Sequence, residues 1–472
     1  GNPAPDGDPV SREGKTYEGI HKGCLKPELK FGNIKRTRDV EKRMLTKEFQ
    51  IAERARKFKG EGLSNLHQFI DEGMLRRSYL SLNKYSSPGV DGKYWGNYSL
   101  EYPFRIPELL SEFKSGRYKA PSIRRVYIPK GKKGVRPLGI PTVEDKILQE
   151  SVRQVLSPIY EEEFKDFSFG FRSGYSAHGA IDYMFKKVSF DGLHYIIDAD
   201  IKDYFGSIDH GRLREFLDRR VKDGVIRRMI DKWLKAGILE DEQLHYPKTG
   251  TPQGGIISPL LSNIYLHYVL DEWFSEQIQP LLSGKSFIVR YADDFVLGFE
   301  SATDASRVMN VLPKRFSKYG LELNTEKTRI ISLKSKRGEG WRSFDFLGFT
   351  HYLGKSQKGY QVLKRKTSSK KFTLALTRMY DWLKRNRHKR LKELISELNV
   401  KLRGHYNYYG ITFNIRGVQS FYYQVTWMLY KWLNRRGGKP VWNWNQLRML
   451  IDNWIPLLKP KLYHSYLRAK PV

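Results

Sequence analysis

Two short stretches place carboxylates where buried strands should end. In Tyr195–Asp200 (YIIDAD) apolar residues deliver Asp198 and Asp200 to a strand terminus. In Arg290–Phe299 (RYADDFVLGF) the pair Asp293–Asp294 sits at a tight turn between two apolar runs. Acids inside apolar runs are costly unless they are paired or hold a cation. Adjacent aspartates repel, so a divalent cation is their natural neutraliser. Mg²⁺ favours one or two carboxylates together with the phosphate oxygens of a substrate. Two such ions about 3.5–4 Å apart serve phosphoryl transfer, one activating the attacking oxygen and the other stabilising the leaving one. An isolated Asp-Asp is also an ordinary polar turn, and the surroundings decide between the two. Between the acidic stretches lies Gly250–Leu260 (GTPQGGIISPL), a Gly-rich loop that opens an apolar helix. Its glycines admit close approach of backbone to a ligand, and a helix N-terminus favours anions.

The elements that must carry these groups follow from periodicity. Residues 120–142 read as two short strands around a Gly- and Lys-rich loop, and Tyr195–Ile201 as a buried strand. Asp145–Tyr160 and Asp304–Tyr319 read as helical, Leu213–Leu239 as mostly helical, and Ile256–Val269 as one long apolar helix. Ser286–Phe299 reads as two strands meeting at the acidic turn, and Leu321–Ser332 as strand. Leu63–Leu82 has helical spacing, broken by the turn SSPGVDG (Ser86–Gly92). Strands alternating with helices predict α/β for 120–350. After about Lys355 the pattern becomes helical. Leu391, Leu394, Ile395, Leu398 and Leu402 mark a helix expected to end at Gly404, and further helices fit 417–435 and 444–455.

The 472 residues carry 84 Lys and Arg against 51 Asp and Glu, a net charge of +33. Residues 351–472 hold 26 basic and four acidic residues, +22 of that total, and six of the ten tryptophans. A basic, aromatic-rich unit points to a polyanion, and to nucleic acid ahead of a membrane surface. No apolar run is long enough for a membrane span. Cys24, the only cysteine, excludes an internal disulfide or CxxC zinc site in this sequence. Residues 1–14 are rich in Pro, Gly and Asp and read as a flexible arm. The sequence begins at Gly1 rather than Met, which fits a fragment or a processed product.

In this order the motifs resemble the group II intron-encoded reverse transcriptase (maturase) family. SSPGVDG resembles its N-terminal extension motif, Ile123–Glu150 its fingers motifs, and Phe167–Ala177 (FSFGFRSGYSA) follows in the expected place. DADIKDYFGSIDH (198–210), GTPQGGIISPLLSN (250–263), RYADDFVLGF (290–299), GLELNTEKTRI (320–330) and FDFLGFT (344–350) resemble the palm, and LNVKLRGHYNYYG (398–410) the thumb, or X, region. The resemblance covers about residues 60–430. It implies a right-hand polymerase, with α/β fingers and palm, an antiparallel palm sheet and an all-α thumb. The expected divisions are an arm and basic lead-in (1–59), N-terminal extension and fingers (60–190), palm (191–355) and a basic helical thumb or maturase domain (356–472).

The resemblance also assigns roles. Asp200, Asp293 and Asp294 would hold two Mg²⁺ ions, with Mn²⁺ as a substitute and the Ile201 carbonyl as an extra ligand. Asp198 shares a strand face with Asp200, but the family pattern favours Asp200. Phe205 would be the steric gate against a 2′-hydroxyl, and Lys130 and Arg136 would hold the triphosphate. Gln253 would touch the incoming nucleotide, Lys327 would be a general acid at the leaving pyrophosphate, and Phe346, Leu347 and Gly348 would shape the primer grip. The expected activity is RNA-directed DNA synthesis from dNTPs. Expected partners are template and intron RNA, DNA primer or target, and RNA–DNA duplex, in a bacterial cytoplasm or organelle matrix. Alternatives are a protein acting chiefly as an RNA-splicing maturase, or a domesticated relative in DNA repair or defence. An RNA-dependent RNA polymerase fits YADD and Phe205 poorly. Many relatives add an endonuclease domain with paired cysteines. With Cys24 alone and an end at Val472, none is expected here.

Overall fold

Side-chain caps set where several helices begin. Thr142, Ser176, Asp223 and Ser301 each accept a first-turn backbone N–H, pairing donors that a helix start leaves free. The computed structural model describes residues 38–129, 134–240, 243–246, 248–251, 253–334, 342–437 and 441–465, with side chains from Lys47 onward. The arm 1–14, Cys24 and Lys130 lie outside the described residues.

In chain order the elements are α1 (Arg38–Lys57), α2 (Glu72–Ser81), α3 (Trp95–Tyr98), α4 (Tyr102–Ser115), β1 (Ile123–Pro129), β2 (Val135–Ile140), α5 (Val143–Glu161) and α6 (Ala177–Phe190). Then come β3 (Tyr195–Ala199), β4 (Ile201–Lys202), α7 (Tyr204–Ser207), α8 (His210–Arg220), α9 (Gly224–Lys235), β5 (Ile238–Glu240), β6 (Gln243–His245) and α10 (Ser258–Leu266). The hairpin β7 (Ser286–Tyr291) and β8 (Asp294–Phe299) precedes α11 (Ala302–Ser317), β9 (Glu322–Leu323), β10 (Arg329–Ser332), β11 (Ser343–Phe346), β12 (Phe349–Lys355) and β13 (Gln361–Thr367). Four helices close the described chain: α12 (Ser369–Asn386), α13 (Leu391–Tyr409), α14 (Ile415–Leu433) and α15 (Trp444–Met449).

The central sheet has the order β10-β3-β8-β7, antiparallel throughout. A second sheet, β2-β1-β5-β6, lies earlier in the chain, and β11-β12-β13 form a third. One face of the central sheet packs with α5, α9, α10 and α11 through residues such as Ile197, Leu261, Phe295 and Leu312. The other packs with α6 and the third sheet through Met184, Ile196, Val289, Val296 and Phe346. A separate core of Leu383, Leu398, Leu402, Phe421 and Leu429 joins α12, α13 and α14. The SSPGVDG loop is clamped onto the start of α5. Lys146 donates to Ser86 and to the Ser87 carbonyl at 3.3 and 3.0 Å, and Arg124 donates to the Pro88 carbonyl at 3.0 Å.

Five local expectations change, the first being Leu321–Ser332, which divides into β9 and β10 around a turn at 325–327. Leu63–Leu82 is a 3₁₀ turn (Leu66–Phe69) followed by α2, because Asp71 accepts the Met74 N–H at 2.8 Å and starts a new helix. The helix after the Gly-rich loop widens beyond Leu266 into π-helical turns at His267–Asp271 and Trp273–Ile278. Residues 361–367, read as part of a helical region, form β13; its inward Val362, Leu363 and Arg365 are masked in the sequence by neighbouring charges. Helix α13 runs through Gly404 to Tyr409. There the buried Tyr406 and the stack of His405 on Phe421 (3.7 Å) outweigh the roughly 1 kcal/mol that a helical glycine costs.

Candidate active site

Strands β7 and β8 pair from Ser286↔Phe299 to Tyr291↔Asp294, leaving Ala292 and Asp293 as a two-residue turn. Such turns need left-handed backbone, and Ala292 adopts φ 58°. On the other side of β8 the register Ala199↔Phe295 carries β3 one residue on, to Asp200 beside Asp294. Asp198 lies on the same strand face, 3.7 Å from Arg329 of β10. One end of the central sheet therefore gathers Asp198, Asp200, Asp293 and Asp294.

These acids lie in one another's field. Burial pushes the Asp294 carboxyl up to about 7, and the charges of Asp198, Asp293 and Asp200 push the same way. Asp294 keeps a solvent-facing edge while protein surrounds the rest of it. Burial likewise raises Asp198 to about 6, against the nearby Arg329. Asp293 is raised by burial, opposed by Arg136 and reinforced by Asp200. Desolvated, mutually repelling carboxylates are a donor set that suits a hard divalent cation. Among the described residues no three acidic, histidine or cysteine side chains close into a metal-holding group. Instead the Lys327 ammonium lies 2.8 Å from Asp200.

Arg136, on β2, acts electrostatically on Asp293. Ile201 is buried and pairs with Leu323. The Phe205 ring packs at the core edge against Tyr204 (5.5 Å), and its carbonyl accepts the Thr251 N–H at 2.8 Å. A Cβ on Gly250 would lie 2.9 Å from that carbonyl, so the Gly-rich loop presses on the backbone beneath the ring. The Gln253 carbonyl accepts the Gly139 N–H at 2.5 Å, tying the loop to β2, while its side-chain oxygen is buried with no hydrogen-bond partner among the described residues.

Leu347 and Gly348 form the turn between β11 and β12, with φ 49° and 79°, and Phe346 is core. The Leu347 backbone N–H faces Asp294 and opposes its upward shift, while its carbonyl accepts the Tyr408 hydroxyl at 2.8 Å. This turn thus links the acids to α13.

Sequence reasoning gave no role to Gln149, whose side-chain oxygen accepts the Ile256 N–H at 2.8 Å before α10. It also passed over Arg290, Asp271 and Asn263 beneath the acidic turn. The available signal was Arg290 itself, a charge inside the apolar run FIVRY.

The sequence pattern of the family described as reverse transcriptase (RNA-dependent DNA polymerase) matches residues 128–351. Group II intron-encoded protein LtrA of Lactococcus lactis subsp. cremoris is 31% identical over 413 residues, covering 69% of this chain and 67% of that one. Protein YkfC of Escherichia coli K12 is 34% identical over 324 residues, 61% of this chain and 81% of that one. The putative COX1/OXI3 intron 1 protein of Saccharomyces cerevisiae is 30% identical over 273 residues, 48% of this chain and 32% of that one. No helix among the described residues is long and apolar enough to cross a membrane. With its ordered acidic strand ends, Gly-rich loop and matched relatives, the chain belongs to the group II intron-encoded reverse transcriptase and maturase family.

Proposed function

We propose that the chain is an RNA-directed DNA polymerase that extends a primer 3′-hydroxyl with dNTPs. The observation that carries this reading is the convergence of Asp200, Asp293 and Asp294 at one end of an antiparallel sheet, each beside a cation or another acid. The arrangement fits a right hand: fingers and N-terminal extension in 60–190, palm in 191–355 and thumb in 356–472, after an arm and lead-in of 1–59. The family uses divalent metal ions, and for this chain we assign two Mg²⁺, with Mn²⁺ able to substitute, to the three aspartates and the Ile201 carbonyl. When bound, such ions lower the cost of charge on the attacking and leaving oxygens.

The chain's own residues supply placement. Arg136, with Lys130, neutralises the triphosphate through charge-assisted contacts. The Phe205 ring, its backbone held by the Thr251 N–H, stands where a 2′-hydroxyl would fall. Gln253 brings an unpaired side-chain oxygen to the loop next to the nucleotide. The Leu347–Gly348 turn, braced by Tyr408, holds the primer end near Asp294. The primer 3′-hydroxyl oxygen bonds to the α-phosphorus and gives its proton to solvent as the bond to pyrophosphate breaks, and Lys327 donates the proton that the leaving group takes.

A second role as an intron-splicing maturase is favoured by the 26 basic against four acidic residues of 351–472, which suit the backbone of folded RNA. An intracellular setting with intron RNA, primer or target DNA and RNA–DNA duplex fits both roles. Primer extension on an RNA template tests the assignment. Asp293→Asn should abolish dNTP incorporation and leave RNA binding intact, and normal extension by that variant would sink the reading. Phe205→Ala should admit rNTPs.

A further inference from the structure

Beneath the acidic turn lies a buried polar network that the polymerase reading leaves without a role. Arg290, next to last in the apolar strand β7, is 0% exposed, and so is Asp271. The two form a forked pair: Arg290 Nε donates to Asp271 Oδ1 at 2.9 Å and Nη2 to Oδ2 at 2.6 Å. The remaining nitrogen, Nη1, donates to Asn263 Oδ1 at 2.9 Å and to the carbonyl of Ala292 at 2.9 Å. Asn263 in turn donates from Nδ2 to the Gly170 carbonyl at 2.7 Å.

Gly170 is seated against the same turn. A Cβ there would lie 2.2 Å from the Ala292 nitrogen. The flanking backbone is stitched to β7, with Arg290 N–H donating to Phe167 and Phe169 N–H donating to Arg290, at 2.9 and 2.8 Å. The FSFGF segment, Asn263 of α10 and Asp271 of the following π-helical turn therefore converge on one arginine and one carbonyl.

That carbonyl belongs to the peptide joining Ala292 to Asp293. Ala292 holds a left-handed backbone that an alanine adopts only when its surroundings impose it. A buried ion pair is weak evidence for stability, because its desolvation cancels much of its attraction. A planar guanidinium, unlike an ammonium, makes all four of these contacts at once.

We propose that Arg290, clamped by Asp271 and Asn263, is a positioning residue. It fixes the Ala292–Asp293 peptide plane and thereby sets where the Asp293 and Asp294 carboxylates stand toward a divalent cation. The inference rests on the polymerase reading above and assigns the FSFGF segment a place in the same device.

The test uses the full chain with four readouts: Mn²⁺ binding followed by the electron paramagnetic resonance of free Mn²⁺, kcat and KM for dNTP at varied Mg²⁺, primer–template affinity, and thermal unfolding. Arg290→Lys keeps the charge and loses the fork. It should weaken Mn²⁺ binding and lower kcat by about 10–100-fold, raise the Mg²⁺ needed for half-maximal rate, and leave primer–template affinity unchanged. Asn263→Ala and Gly170→Ala leave the ion pair whole and should move the same readouts the same way. They decide the matter if Arg290→Lys does not fold. The double variant Arg290→Met/Asp271→Leu removes both charges together and so avoids an unpaired buried ion; folded, it should still bind Mn²⁺ poorly. Folded variants that bind Mn²⁺ and extend primers like the parent would overturn the proposal. Asp293→Asn runs alongside. If it extends normally the polymerase assignment itself fails, whereas an inactive Asp293→Asn beside fully active Arg290→Lys and Asn263→Ala refutes only the positioning role.

Discussion

Burial decides the protonation of two histidines away from the acids. His351 is fully buried beside Arg365, and its imidazole is pushed down to about 3 by desolvation and by that charge. His405, stacked on Phe421, is lowered to about 4 by burial alone, and its Nε2 has no hydrogen-bond partner among the described residues. For both, the unfolded chain binds a proton near pH 6.5 that the folded chain refuses. Their contribution to stability therefore rises with pH through the window from about 4 to 6.5, and is lost as pH falls through it. Acidification from pH 7 to pH 5 therefore costs stability at these two histidines, while the raised Asp198 and Asp294 carboxyls, which take up protons in the folded chain over the same range, act in the opposite direction. His405→Phe keeps the stack and removes both the titration and the unpaired nitrogen. It should melt at or above the parent at pH 7 and exceed it by a wider margin at pH 5, as calorimetry at the two pH values can check; an unchanged margin would count against this cause. The lone histidines carried no such signal in the sequence, because nothing local tells a buried imidazole from an exposed one.

Two glycines at element scale have opposite requirements. Gly404 lies within α13, exposed, and a Cβ built on it meets nothing within 4 Å. Gly404→Ala should stabilise the protein by about 0.8–1 kcal/mol, the helix-propensity difference, visible as a higher melting temperature. Gly348 has φ 79° in the turn between β11 and β12, with the Tyr409 hydroxyl 3.2 Å from a built Cβ. Gly348→Ala should cost about 1–2 kcal/mol. It should also slow primer extension, since this turn joins Asp294 to α13; a variant with parental stability and rate would argue against that link. Both glycines looked like punctuation in the sequence. Gly404 was read as a helix end because the apolar spacing stops at Leu402, while Tyr406 and His405 continue the helix through aromatic packing that spacing counts poorly. The same weakness hid β13, where Arg365 turns inward among apolar neighbours.

Charge is the property of the whole molecule that the sequence states most directly. With +22 of the +33 in residues 351–472, RNA binding should be steeply salt-dependent. Six to ten phosphate contacts would lower affinity about 10³–10⁵-fold between 50 and 200 mM salt. Filter binding at several salt concentrations measures the slope, and a flat profile would exclude this surface as the main RNA contact. The strand ends YIIDAD and YADD, the Gly-rich loop and the basic C-terminal region were all legible from a few adjacent residues, since turn chemistry, periodicity and charge are local properties. Tertiary structure alone decided which distant groups meet. Lys327 reaches Asp200 across 127 residues, Arg290 finds Asp271 and Asn263 at separations of 19 and 27, and Asn263 finds Gly170 at 93. A buried guanidinium must satisfy its donors with whatever the packed chain brings within about 3 Å. Its partners are fixed by how strands and helices stack, and the residues on either side of it in the sequence do not name them.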